Sequence, residues 1–150
     1  MELIDAVTDF SIEKDIVRPE YDVEFRISED REVFAWGRSL VPYQVYSSLC
    51  CVAYCNEIPI NMEQLTEYSI NHSPYRGDIA IAYTVWNCSD TKGSGRSLIL
   101  ALQKHFSSHA NINRLVTLSP LTEMAKKFHL SNGAKLLSTN PESYNFEYAI

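Results

Sequence analysis

The stretch QVYSSLCCVAYC (44–55) holds twelve residues without a formal charge, rich in β-branched and aromatic side chains. Such a run offers no polar face to water, so it suits a central strand of a sheet. A central strand needs neighbours on both sides. YDVEFRI (21–27) and EVFAW (32–36) alternate apolar and polar residues, DIAIAYTVW (78–86) is a strand by composition, and NRLVTL (113–118), AKLLST (134–139) and YNFEYAI (144–150) read as further strands.

Helices fall between them. NMEQLTEYSIN (61–71) places Met62 and Leu65 at helical spacing behind Asn61, a good N-cap. From Arg96 to about Ser108, Leu98, Ala101, Leu102, His105 and Phe106 share one face, and TEMAKKFHL (122–130) forms a shorter helix. Residues 1–20 read as a polar lead-in helix. The order predicts a single α+β domain over residues 1–150, a mixed and mostly antiparallel sheet flanked by helices.

Bulk chemistry narrows the function. At 150 residues and 45% hydrophobic, the chain can bury a real core. The net charge of −6 and the absence of any Lys/Arg run longer than two argue against nucleic acid as a partner. The first residues lack the basic start and apolar core of a secretion signal, and no apolar run approaches the roughly 20 residues that cross a bilayer, so a cytoplasmic protein with no membrane partner is expected. Cys50, Cys51, Cys55 and Cys88 form no Cys-x-x-Cys pair. They read as buried reduced thiols, with 50 and 51 on opposite faces of a strand, and no metal site is expected.

Two segments carry chemistry. In TKGSGRS (91–97) two glycines stand between a strand and the start of an apolar-faced helix. Glycines let the backbone approach a ligand, and the first N–H groups of a helix lack internal partners, so a phosphate fits there, with Lys92 and Arg96 adding charge. The same pattern also serves as an ordinary strand-to-helix turn. The second segment is KFHLSNGAKLL (127–137), where His129 follows a short helix and precedes Asn132-Gly133, a helix stop. Residue type alone leaves His129, Ser119 and Tyr148 open to structural readings: a helix-end histidine, a serine before proline, and a tyrosine in an edge strand.

KGSGRSLILAL (92–102) resembles the pyrophosphate loop and following helix of the GCN5-related N-acetyltransferase fold, with Asp90 where that family usually has Gln or Arg. The resemblance implies coenzyme binding by Lys92, Gly93, Ser94, Gly95, Arg96 and Ser97. NRLVTLSPL (113–121) and FHLSNGAKL (128–136) resemble the two catalytic segments of malonyl-CoA decarboxylase, whose C-terminal domain has this fold. YNFEY (144–148) resembles the family's terminal motif, VAYCNEIPINMEQL (52–65) its upstream strand and helix, and VRP (17–19) and DREVFAWG (30–37) match more loosely.

This likeness implies a GNAT-like sheet, catalytic roles for Ser119, His129 and Tyr148, and substrate contacts for Asn145 and Asn132. It describes a shortened, stand-alone relative. The family's helical N-terminal domain, its loop glutamate near Gly93 and Ser94, and the long insertion between its serine and histidine motifs have no counterpart, since nine residues separate Ser119 from His129.

The implied reaction is decarboxylation of a malonyl or substituted malonyl thioester carried on coenzyme A or on the phosphopantetheine of an acyl carrier protein. It requires no further cofactor, because the thioester is the electron sink. Ser, His and Tyr would stabilise and protonate the enolate. Two alternatives stand beside it: an acyltransferase of the same fold, moving an acyl group from coenzyme A to an amine, hydroxyl or thiol, and a non-catalytic acyl-CoA-binding module.

Overall fold

The computed structural model describes residues 1–4, 31–40, 43–70, 76–87 and 92–150. Among them, seven strands form one sheet: β1 (Glu2–Ile4), β2 (Arg31–Leu40), β3 (Tyr43–Cys55), β4 (Ile79–Asn87), β5 (Arg114–Thr117), β6 (Lys135–Thr139) and β7 (Tyr144–Tyr148). Their spatial order is β1-β2-β3-β4-β5-β7-β6. β4 and β5 run parallel and every other neighbouring pair is antiparallel. The helices are α1 (Met62–Tyr68), α2 (Ser94–Ser107) and α3 (Glu123–Ser131).

The uncharged run lies in β3, hydrogen-bonded on both sides and buried on both faces from Ser47 to Cys55. Cys50 and Cys51 point into separate cores, as period-2 geometry requires. On one face Val33, Ala35, Cys51, Ile81 and Val116 pack with Leu65 of α1. On the other, Phe34, Val52, Ala80, Leu115, Phe146 and Tyr148 pack with Leu98, Ile99, Leu102 and Phe106 of α2. Cys50, Cys51 and Cys55 are buried thiols outside any disulfide, and burial pushes Cys50 well above the usual thiol range. Asn61 caps α1 as expected, its Oδ1 accepting from Gln64 N–H at 2.8 Å.

Three expectations change. Residues Glu2–Ile4 pair with β2 as a strand instead of opening a helix, because their backbone completes the sheet edge; residues 5–20, the expected strand 21–27 and Cys88 lie outside the described residues. Helix α2 begins at Ser94, two residues before Arg96, and its buried stripe takes in Ile99 while Ala101 and His105 are half-buried. β7 is not an edge. It lies between β5 and β6, because Tyr144, Phe146 and Tyr148 need cover on the α2 face, whereas most of β6 is exposed.

The parting of β4 and β5 positions the site. Their pairing runs from Ile79↔Arg114 to Ala82↔Thr117, and Leu118 N–H donates to the Ala82 carbonyl at 2.9 Å. β4 then continues to Asn87 beside β3, while the chain after β5 turns to β7, where Ser119 and Tyr144 exchange backbone hydrogen bonds of 2.9 and 2.8 Å. A bulge marks the divergence: Cys51 faces Thr84 and Val52 faces Ala82, leaving Tyr83 as the extra residue. α2 starts at this carboxyl end, the place where parallel sheets bind ligands.

Candidate active site

Thr122 starts α3 by accepting Ala125 N–H at 3.1 Å on its side chain, and the helix stops where Gly133 takes the left-handed φ of 94°. His129 sits in the last turn, 5% exposed, its ring 5.1 Å from that of Phe146 and 5.0 Å from that of Phe128. Its Nδ1 lies 2.7 Å from the hydroxyl of Tyr148, itself buried.

Burial lowers the His129 pKa to about 4, so the ring is neutral at pH 7 even at the helix end that would favour its cation. Burial also raises the Tyr148 phenol, an effect partly opposed by the neighbouring Asn132 amide and reinforced by Cys50. A neutral imidazole and a neutral phenol hold one polar hydrogen each. One closes the bond between them. Whichever tautomer is present, the other remains to donate outward, from Nε2 or from the phenol. Beside this pair, Asn132 is buried and its Nδ2 reaches no acceptor with hydrogen-bond geometry.

Ser119 shares the sheet face of Tyr148 but not its row. It pairs with Tyr144, whereas Tyr148 pairs with Leu115, roughly 13 Å away along the strand backbone at about 3.3 Å per residue. The Ser119 hydroxyl donates to Thr117 Oγ1 at 2.8 Å, so no direct hydrogen bond joins it to His129. A ligand lying along this face would have to bridge the two.

Asn145 is not arranged to contact a substrate. Its Nδ2 donates to the carbonyls of Pro59 (3.0 Å) and Thr117 (2.9 Å), and its Oδ1 accepts from Ser138 Oγ and Asn140 Nδ2, both at 2.8 Å. Those four bonds use the full capacity of an amide. It fastens β7 to β5, β6 and the segment before α1.

At the start of α2, Gly93 is the N-cap residue with a left-handed φ of 81°, and no side chain caps the helix among the described residues. The first amides therefore lack intrahelical partners. Lys92, Gly93 and Arg96 are exposed and Ser97 is half-buried. Ser94 and Gly95 are buried, and the Ser94 carbonyl accepts from Ser48 Oγ at 2.8 Å, so these two could meet a ligand through backbone N–H groups alone. A Cβ on Gly95 would lie 3.4 Å from the Phe128 ring and from Asn87 Oδ1. This links the loop to the buried pair: Gly95 abuts Phe128, which packs on His129, which bonds Tyr148.

Sequence reasoning passed over Thr117 and Phe128. Thr117 stands two residues before Ser119, hence on the same strand face, and Phe128 adjoins His129; period and adjacency were signals for both. His105 and His109 lie together at the far end of α2, ring centroids 6.1 Å apart, and a surface groove of about 390 Å³ between α2 and Ala149–Ile150 holds none of the candidate residues.

No protein-family model and no curated protein sequence matches the chain. Solved structures do. A malonyl-CoA decarboxylase from Rhodopseudomonas palustris aligns with a TM-score of 0.65 at 15% identity, over 93% of this chain and 56% of that one. NAA60 of Arabidopsis thaliana, in complex with a bisubstrate analogue, aligns at 0.60 and 15% identity over 93% and 90%. AtaTR bound with AcCoA aligns at 0.56 and 16% identity over 97% and 94%. With its mostly antiparallel seven-stranded sheet parting between β4 and β5, the chain has the α+β fold of the GCN5-related N-acetyltransferases.

Proposed function

We propose that this chain is an enzyme acting on acyl thioesters, and that its reaction is decarboxylation of a malonyl or substituted malonyl group carried on coenzyme A or on an acyl carrier protein. The buried His129–Tyr148 hydrogen bond, with the buried Asn132 amide beside it, carries the reading. The carrier's diphosphate would lie against the start of α2, with Lys92 and Arg96 supplying charge, Gly93 leaving open space, Ser97 at the rim, and Ser94 and Gly95 forming the first turn.

In the reaction, the bond between the α-carbon and the carboxylate breaks, carbon dioxide leaves, and the electron pair passes into the thioester as an enolate. The outward hydrogen of the His129–Tyr148 pair, the Asn132 Nδ2–H and the Ser119 hydroxyl are the donors available to the carboxylate and the enolate oxygen. The enolate then takes a proton at carbon. Tyr148 can supply it and be reprotonated through His129, with solvent as the ultimate source. Asn145 acts on the fold beneath Ser119.

Acyl transfer is the second reading. NAA60 and AtaTR match over nearly their whole lengths, while the decarboxylase is matched over 56% of its chain. A histidine held near pKa 4 is, however, a weak base for an ammonium acceptor, whereas a neutral donor pair suits an enolate. The decisive experiment is mass spectrometry of the protein with malonyl-CoA and methylmalonyl-CoA, and separately with acetyl-CoA plus amine and thiol acceptors. Loss of carbon dioxide from the malonyl thioester, abolished by His129→Ala and lowered but still measurable in Ser119→Ala with binding retained, supports decarboxylation. Acceptor-dependent release of free coenzyme A from an intact acyl donor supports transfer, and binding without either product supports a non-catalytic module.

A further inference from the structure

The β5–β7 ladder is interrupted for two residues, Thr117 and Leu118. Leu115 and Val116 pair with Tyr148 and Glu147, and pairing resumes at Ser119↔Tyr144. Between them, side chains replace one backbone bond, the one that would run from the Phe146 N–H to the Thr117 carbonyl. That carbonyl accepts from Asn145 Nδ2 at 2.9 Å, and the Phe146 N–H, which faces it across the strands, donates to the Thr117 hydroxyl oxygen at 3.1 Å. Thr117 is fully buried, and its hydroxyl oxygen also receives the Ser119 hydroxyl at 2.8 Å. A sheet that gives up a ladder bond to fix one threonine side chain has oriented that hydroxyl.

The consequence falls on Ser119. While Ser119 donates to Thr117, its hydrogen points inward and is withheld from a ligand. Thr117 has a hydrogen of its own. We propose that Thr117 is the positioning residue for Ser119: held by the Phe146 N–H, it donates its hydrogen to Ser119 Oγ when a thioester enters, releasing the Ser119 hydrogen toward the substrate oxygen. The exchange moves two hydroxyl rotors and breaks no covalent bond. The resulting chain, from Phe146 N–H through Thr117 to Ser119, aligns all three dipoles toward the substrate, an arrangement in which each hydrogen bond strengthens the next. This inference rests on the reading of Ser119 as a group that touches substrate.

The test is a double-mutant cycle on malonyl-CoA turnover with Thr117→Val, Thr117→Ser, Ser119→Ala and the Thr117→Val/Ser119→Ala double variant. Thr117→Val is expected to lower kcat about tenfold with KM changed by less than about twofold, and Thr117→Ser to recover most of the loss. On the Ser119→Ala background, Thr117→Val should have no further effect on residual turnover. An unchanged kcat in Thr117→Val, or an equal loss with and without Ser119, overturns the inference while leaving the thioester reading in place. A wild-type protein that turns over none of these thioesters overturns that reading and this inference with it.

Discussion

Acid is expected to destabilise the protein through His129 by a calculable amount. An unperturbed histidine titrates near 6.5, and burial lowers the folded His129 to about 4. The folded state thus binds the proton less tightly than the unfolded chain. The stability tied to the neutral ring is intact above pH 6.5 and is lost as the pH falls from 6.5 toward 4. At about 1.36 kcal/mol per pK unit this amounts to about 3 kcal/mol, most of it gone by about pH 4.5. That is a large share of the roughly 5 to 15 kcal/mol that holds a domain together. Urea unfolding of the wild type and of His129→Gln at pH 7 and about pH 4.5 isolates the effect, since His105 and Glu147, also shifted, titrate in both proteins. The wild type should lose about 2 to 3 kcal/mol more than the variant. Parallel stability profiles, or a His129 ring resonance titrating near 6.5, would refute the argument that burial sets this residue's charge.

Three further outcomes follow from the same geometry. Tyr148→Phe removes one of the pair's two hydrogens and leaves His129 Nδ1 without its 2.7 Å partner, so stability should fall by about 1 to 3 kcal/mol and malonyl-CoA turnover by about 100-fold, read by thermal melts and steady-state kinetics. Asn145→Leu strands the Pro59 and Thr117 carbonyls and two donors, and should cost about 3 kcal/mol or more in urea unfolding. A stability loss within about 0.5 kcal/mol would contradict its role as a fastener. Gly95→Val drives a branched side chain against Phe128 and is expected to weaken coenzyme A binding in calorimetry; unchanged affinity would remove the start of α2 from the site.

Local patterning made much of this fold legible. The uncharged run 44–55 demanded a central strand and is β3; Asn61 signalled the start of α1; and the alternation through Cys50 and Cys51 sent one thiol into each core. What stayed hidden depended on contacts between distant segments. No local signal places β7 inside β6, because that order depends on which strand has more apolar surface to cover. Residue type did not reveal that Asn145 spends all four hydrogen bonds on the fold, that Gly95 packs under Phe128, or that His129 is held neutral. The last follows from the aromatic rings around it, and its helix-end position alone suggested the opposite. Thr117 was within reach of period-2 reasoning, but its interruption of the β5–β7 ladder appears only in the pairing.

If the His129–Tyr148 pair serves a thioester enolate, the carbon left by carbon dioxide takes its new hydrogen from solvent, and that hydrogen can be weighed. Malonyl-CoA would be incubated with the protein in deuterium oxide and the coenzyme A products weighed by mass spectrometry. The expected product is acetyl-CoA carrying solvent deuterium in its methyl group, formed by the wild type and absent with His129→Ala. Malonyl-CoA left intact by the wild type, or acetyl-CoA formed equally well without His129, would contradict that role.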